Sequence, residues 1–468
     1  MVHFLTLRKI VHFFKQYLII LNKTLRNILY SIIIITLYAL IAVFLGTKNH
    51  LFLLIIPFAI AQGAGAFIDS SIFSLGGLGF SRDLIILLYS FIVFSSFNSN
   101  INIFSNIDRL MKLYILFLVL LIPFSIYTTG SGWRIFTIFR IFVYIPLYYI
   151  LFVYIFSSVT LYKFNKFLRF MLIVNIVSSI LYILNSNQII NIFPVSYEQI
   201  YYMGESFNRD FSTIPILYSF MFILSILGLF TNWKIDINRR LLIINFIVSC
   251  LVLLFTFTRG WLISFSIIIL AAIIMMLFKG KKLVSAFWKI IIASIIVFTT
   301  FVLIVNVFPA QLQFFTARNE QISQTSGLEN VPNVISRLNL LYYSSYYIGS
   351  NILNTLFGMG YSQEYMLKMQ NINGAWGGDI MWPFFVVFTG IAGALFILII
   401  ALKFTFYSFK NYINSSDYLF LFCFFLFVFY LMTSVNSAGF NDGTGISMIP
   451  FALYTVHNKK LWRNRNPA

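Results

Sequence analysis

The feature that most limits what this chain can become is the repeated return of apolar runs close to the about 20 residues that an α-helix needs to span hydrocarbon. Thirteen can be read off: Ile28 to Gly46, Leu51 to Ile68, Leu84 to Phe97, Leu110 to Tyr127, Ile135 to Val159, Phe167 to Leu184, Phe211 to Phe230, Leu241 to Phe257, Trp261 to Phe278, Phe287 to Phe308, Ile380 to Leu402, Tyr418 to Ser434 and Gly443 to Val456. A bilayer core holds no water to solvate a bare peptide group, so a spanning segment is either a helix or a strand of a closed barrel. Barrel strands alternate in polarity, and these runs do not. At 60% hydrophobic and 10% charged residues, with a mean hydropathy of +0.90, the chain is too apolar for a water-soluble domain. The expected fold class is an all-α polytopic membrane protein.

The cations decide the threading. Lysine and arginine concentrate in cytoplasmic loops. Here the groups Lys163, Lys166 and Arg169; Lys234, Arg239 and Arg240; Lys279, Lys281, Lys282 and Lys289; Lys403 and Lys410; and Lys459, Lys460, Arg463 and Arg465 alternate with the other connections. A basic start and a basic end on one side require an even number of crossings. One run before Leu110 is therefore not a full crossing, and Leu51 to Ile68, with Pro57, Gln62, Gly63 and Gly65, and the short Leu84 to Phe97 are the weakest. The expectation is about 12 transmembrane helices, with one long external loop between the third-last span and the span before it.

The regions are then a basic amphipathic N-terminal segment (1–27), an N-terminal helix bundle (28–308), the external loop with short helices (309–379), C-terminal transmembrane helices (380–457) and a basic cytoplasmic tail (458–468). Segment 1–27 is read as retained at the membrane surface, because His12 and Lys15 break its apolar piece and no small-residue cleavage site follows. Cys250 and Cys423 fall inside apolar runs and suggest neither a disulfide nor a metal site. The net charge of +19 would suit a nucleic acid if it were clustered, but the cations sit in short loops between spans. Topology explains them, and no nucleic-acid partner is expected.

On the outer side of this threading the cations are Arg82, Arg134, Arg209, Arg259, Arg318, Arg337 and Lys368, whereas the inner groups named above use eleven lysines and five arginines. A guanidinium grips phosphate or carboxylate with paired hydrogen bonds, and lysine acts as a point charge. An anionic outer ligand fits this bias, and so does simple snorkelling to the interface. Arg140 is harder to place at a surface, since it lies about 9 Å deeper than Arg134 along a helix. It calls for either a wet functional cavity or a buried ion pair. The acids Glu198, Glu205, Asp210, Glu320, Glu329, Glu364, Asp379 and Asp442 are all outside.

Pro309 to Asp379 is the only long polar insertion, and loops of that length are usually functional or disordered. ISRLNLLYYSSYYIGSNIL (335–353) has Leu338, Leu341, Tyr342 and Ser345 at helical spacing, with Arg337 in its first turn. LFGMGY (356–361) breaks the pattern, and NGAWGGD (373–379) delivers Asp379 to the mouth of the next span. Tyr342, Tyr343, Tyr346, Tyr347, Tyr361, Tyr365, Trp376 and Trp382 crowd the same region, suited either to stacking on sugars or to an interfacial aromatic belt. No D-x-D pair, P-loop or nucleophile elbow occurs, and LGGLGF (75–80) is a glycine turn between apolar runs rather than a dinucleotide fingerprint.

The chain resembles the bacterial O-antigen polymerase and O-antigen ligase superfamily. The matching parts are TRGW (Thr258 to Trp261) at an outer helical hairpin, a cytoplasmic hairpin at GKK, the single long outer loop with a helical arginine at Arg337, LFGMGY, and closing spans that begin at GGDIMWPFF. These cover roughly the last half of the chain, and their order and placement carry the likeness. The ligase branch typically has a histidine at the mouth of the span after the long loop, where this chain has Gly378 and Asp379, which favours the polymerase branch.

The resemblance implies a glycosyltransferase of the bacterial inner membrane that acts on undecaprenyl-pyrophosphate-linked oligosaccharide and polymerises repeat units into O-antigen or capsule at the outer face. It also implies a chain-length regulator protein as a possible partner. Ligase and lipid-linked oligosaccharide flippase are the rival readings. Arg259 and Arg337 then meet the pyrophosphate and Asp379 serves as base. To these the outer-face reading adds Arg140 and Arg318 for the pyrophosphate, Glu320 as a second carboxylate, and Trp376, Tyr361 and Tyr343 for the sugar. The leaving group is already a pyrophosphate, so arginine could replace a metal. No cofactor and no metal site are expected.

Overall fold

The computed structural model describes residues 103–130, 135–186, 197–202, 205–210, 218–231, 237–255, 259–279, 332–362, 381–435 and 446–462, with single positions at 51, 87, 90, 91, 93, 94, 189 and 291. Apart from those single positions, segment 1–27, the runs before 98, the run Phe287 to Phe308, residues 309–331 and 363–379 of the long connection, and the tail beyond 462 lie outside the described residues.

A single turn, α1 (Ile103–Asn106), leads into α2 (Arg109–Thr129), α3 (Ile135–Ser157) and α4 (Leu161–Ser186). A hairpin of β1 (Tyr197–Tyr202) and β2 (Glu205–Asp210) follows, antiparallel, with Tyr197 opposite Asp210 and Tyr202 opposite Glu205. Next come α5 (Tyr218–Phe230), α6 (Arg239–Phe255) and α7 (Arg259–Lys279), then α8 (Pro332–Ile348) and α9 (Ile352–Phe357). The chain closes with α10 (Met381–Ser415), α11 (Tyr418–Thr433) and, after a 3₁₀ turn, α12 (Ile449–Asn458). The fold is helical as expected, and the hairpin is an addition in the connection between α4 and α5 that the reading of apolar runs did not anticipate. Its strands are separated only by Met203 and Gly204, the short glycine-bearing link that hairpins favour.

Among the described residues, four helices can cross a membrane by length and composition: α2, α3, α4 and α10. Helices α5 and α11 and the Trp261–Met275 part of α7 are apolar but shorter. The expectation of about 12 spans reaches beyond the described residues.

Contacts along the helices fix their directions. Tyr218 stacks on Trp261 and Phe222 meets Phe265, so α5 and α7 run parallel. The Tyr218 hydroxyl donates to the Ser249 carbonyl while Asn245 donates to Ser225 farther down, so α5 and α6 run antiparallel. Trp382 Nε1 donates to Ser434 Oγ at one end of α10, and Phe409 meets Phe424 toward the other, which sets α11 against α10. In consequence the basic starts of α4 and α6, the basic end of α7, Lys403 and Lys410 on α10, and Lys459 all gather at one end of the bundle. Arg259, Trp261 and Trp382 lie at the opposite end.

The lysine end is knitted by polar contacts. Asp108 caps α2 by accepting from the Leu110 amide (2.9 Å), and Lys403 Nζ donates to both its oxygens (2.9 and 2.7 Å). The Asp108 amide donates to Tyr149 Oη at 3.2 Å, and Thr455 spends its proton on the Phe451 carbonyl, so Tyr149 is the donor in its 2.9 Å bond to Thr455. Asp417 caps α11 and meets His457 Nε2 at 2.7 Å, while Trp462 Nε1 donates to His457 Nδ1 at 3.0 Å. With Nδ1 accepting, the His457 proton sits on Nε2 and points at Asp417. Burial pushes the Asp417 carboxyl up, but hydrogen bonds from His457 and the Leu419 amide outweigh it and hold the carboxyl below its ordinary value.

Lipid tails are as apolar as leucine, so close packing and interhelical hydrogen bonds hold the helices together. Aromatic rings supply much of the packing: Phe142 meets both Tyr361 and Phe384, and Phe404, Phe427 and Phe451 form a cluster in which each ring touches the other two. A buried polar seam joins α4, α5 and α6. Asn175 Nδ2 donates to Asn245 Oδ1 (2.9 Å), and Asn245 Nδ2 donates to Ser225 Oγ (2.8 Å) and the Met221 carbonyl (3.1 Å).

Candidate functional site

Helix α10 is broken. Gly390 has φ 67° and ψ −176°, a conformation open essentially to glycine alone, so the helical ladder is interrupted there. The break lies about 12 Å along the axis from Trp382, eight residues at 1.5 Å each. Backbone groups freed at such a depth need partners.

The LFGMGY motif supplies them. Helix α9 ends at Gly358, and the Met359 amide donates to the Val387 carbonyl at 2.7 Å, one turn above the break. A Cβ added at Gly390 would collide with the Leu356 carbonyl, so glycine is required for the approach as well as for the dihedral angles. On the other side the motif meets α2. The Tyr361 amide donates to Ser125 Oγ (2.9 Å), whose own proton goes to the Leu121 carbonyl (2.6 Å). The approach is tight: a Cβ on Gly360 would lie 2.9 Å from Ser125 Cα.

Tyr361 drives the anchor home. Its ring is fully buried against Phe139 and Phe142, with centroids at 5.2 and 5.7 Å, and its hydroxyl donates to the Leu118 carbonyl at 3.2 Å. Read from sequence as a ring for a sugar, it is placed instead as the packing anchor of the motif, with no open face.

The other expected site residues divide. Arg259 is the first residue of α7, two positions before the Trp261 ring that stacks on Tyr218 (5.7 Å, 8°). Arg140 lies within α3, half-buried, and directly follows the Phe139 that touches Tyr361. Arg337 falls within α8, and Tyr343 farther along the same helix is half-buried with its ring against Tyr342. Arg140 thus shares a helix with the rings that hold the motif. Arg259 is carried by a helix that packs on α5 and α11, whereas the helix of Arg140 packs on α2 and α12. Asp379, Glu320, Arg318 and Trp376 lie outside the described residues. Among the described residues no three His, Cys, Asp or Glu side chains gather as a metal site.

Sequence reasoning missed the broken helix and its plug. The signal was present in FTGIAG (388–393), where two glycines interrupt an apolar run, and in Ser125, a small polar residue within the apolar run that becomes α2. No protein-family model matches the chain, and no curated protein matches it.

Proposed function

We propose that this chain is a glycosyltransferase of the bacterial inner membrane that polymerises undecaprenyl-pyrophosphate-linked repeat units into O-antigen or capsule at the outer face. The observation that supports the reading is the chain position of Arg259: it starts α7 at the end of the bundle away from the lysines, two residues before the Trp261 that stacks on Tyr218. A polyprenyl pyrophosphate keeps its tail in lipid and its phosphates at the surface, which is where such an arginine stands. Arg337 and Arg140, on helices that lead into or touch the docked motif, are the next cations available to it.

In this reading a hydroxyl of the acceptor glycan attacks the anomeric carbon of the donor. The bond to pyrophosphate breaks, and the leaving group keeps the electron pair. Arg259 and Arg337 neutralise the charge that develops on it. Asp379 takes the proton from the attacking hydroxyl, and the growing chain lengthens by one repeat.

Arg259→Lys and Arg337→Lys keep the charge and lose the fork. A charge-assisted hydrogen bond is worth about 1.5–3 kcal/mol, so each variant should polymerise roughly ten- to a hundredfold more slowly at equal membrane abundance. Rates near wild type in both would leave snorkelling as the explanation. Gene deletion separates the rivals: single-repeat glycan on a gel marks a polymerase, unattached full-length chains mark a ligase, and cytoplasmic trapping marks a flippase.

A further inference from the structure

The unit formed by α8 and α9 belongs to the connection expected to be a long external loop with short helices, and its surface is unusually apolar for a loop in water. No charged residue occurs between Arg337 and Glu364. Leu341, Tyr342, Tyr346, Ile352 and Leu353 are 52%, 66%, 70%, 74% and 48% exposed. Large apolar side chains exposed together on one short unit, even with Ser345, Ser350 and Asn351 among them, mark a binding or membrane face.

The connection between the two helices is polar in composition but turned in on itself. The Gly349 amide donates to the Ser345 carbonyl, Ser350 Oγ to the Tyr347 carbonyl, and Thr355 Oγ1 to the Ile348 carbonyl. Asn351 Oδ1 accepts from the Leu353 amide, and Asn354 Nδ2 donates to Ser350 Oγ. Each of these groups finds a partner within the unit, as a low-dielectric setting requires and water does not.

Depth completes the case. Leu356 abuts Gly390, about 12 Å along α10 from Trp382, and half of a hydrocarbon core is about 15 Å. The outward residues of α9 therefore continue the apolar exterior of α10 itself, where Ile391 and Leu395 are also exposed.

We propose that α8 and α9 form a re-entrant hairpin inserted in the hydrocarbon of the leaflet at the Arg259 end, with Leu341, Tyr346, Ile352 and Leu353 against lipid acyl chains. This does not depend on the enzymatic reading. The test uses the full-length chain in vesicles of phosphatidylethanolamine and phosphatidylglycerol, with Cys250 and Cys423 replaced by alanine and a nitroxide attached at Tyr346→Cys or Leu353→Cys. Oxygen partitions into lipid and a nickel chelate stays in water. The ratio of oxygen to chelate collisions should match that at Leu116→Cys on the exterior of α2 and stand several-fold above that at the exposed Ser415→Cys. A ratio equal to that at Ser415 would place the hairpin in water, and inaccessibility to both reagents would mean that protein covers it; either result overturns the proposal. Should Leu353→Cys fail to insert, Ile352→Cys reports on the same helix.

Discussion

Gly390→Ala is the sharpest perturbation the structure offers. The backbone there would have to hold alanine at φ 67° and ψ −176°, which costs about 1–3 kcal/mol before any contact is considered. The new Cβ also collides with the Leu356 carbonyl, and a backbone atom at the centre of a docked motif cannot swing aside as a side-chain tip can. Moving the motif breaks the Met359 to Val387 and Tyr361 to Ser125 hydrogen bonds, each worth about 0.5–1.5 kcal/mol net. The total is roughly 2–6 kcal/mol against docking, so the undocked fraction should rise at least about thirtyfold.

A thiol at Ser362 reads this out, because that position is only 2% exposed while the motif is seated. Ser362→Cys should react with N-ethylmaleimide at least about thirtyfold faster in the Gly390→Ala background, at equal abundance and helix content. Gly130→Ala is the control. Its φ is 61° and nothing lies within 4 Å of an added Cβ, so it pays only the dihedral cost, about 1 kcal/mol, and leaves the Ser362 thiol protected. Equal protection in all three backgrounds would refute the argument that Gly390 seats the motif.

The threading can be checked with an impermeant thiol reagent: Thr128→Cys should label from outside and Ser415→Cys should not, and the reverse pattern would invert the bundle. Ser408, a natural choice from sequence, is fully buried and unsuited to that experiment. The folded carboxyl of Asp417 titrates below its unfolded value, so its stabilisation is complete above the unfolded value and disappears as pH falls through the folded one. The effect is modest, because that side chain is 39% exposed. Asp417→Asn should flatten the acid limb of a plot of Tm against pH in detergent, and an unchanged limb would remove the carboxylate from that role. Asn245→Ala strips the polar seam of its hub, and at about 0.6–1.7 kcal/mol per interhelical bond it should lower resistance to SDS unfolding. Unaltered resistance would mean that the seam contributes nothing net.

Hydropathy alone located helices α2 through α7 and α10 through α12 to within a few residues over most of their ends, because in lipid the only local choice is where a helix stops. It ended the third-last span at Leu402, whereas α10 continues to Ser415 through Lys403 and Lys410, since a helix can carry on into the polar region once Asp108 holds Lys403. It was blind to the β1 and β2 hairpin, whose period of two a search for apolar runs averages away. The site was less legible. Arg259 and Arg337 stand out as charges, but the role of Tyr361 depends on Phe139, Phe142 and Leu118, partners more than 200 residues distant that no local pattern encodes.

The partners of Asp108 and Tyr149 bear on how the protein is made. Lys403 lies 295 residues beyond Asp108, and Thr455 lies 306 beyond Tyr149. During synthesis α2 and α3 enter the membrane long before either partner has been translated. For that interval the nascent bundle carries an acidic cap without its counter-ion and an open groove where α12 will lie. A chain interrupted between Lys403 and Ile449 would have the counter-ion of Asp108 but still lack α12, leaving Tyr149 without Thr455 and that flank of α3 uncovered. Arrival of α12 is therefore the step at which Tyr149 gains its Thr455 partner and the exposed flank of α3 is covered.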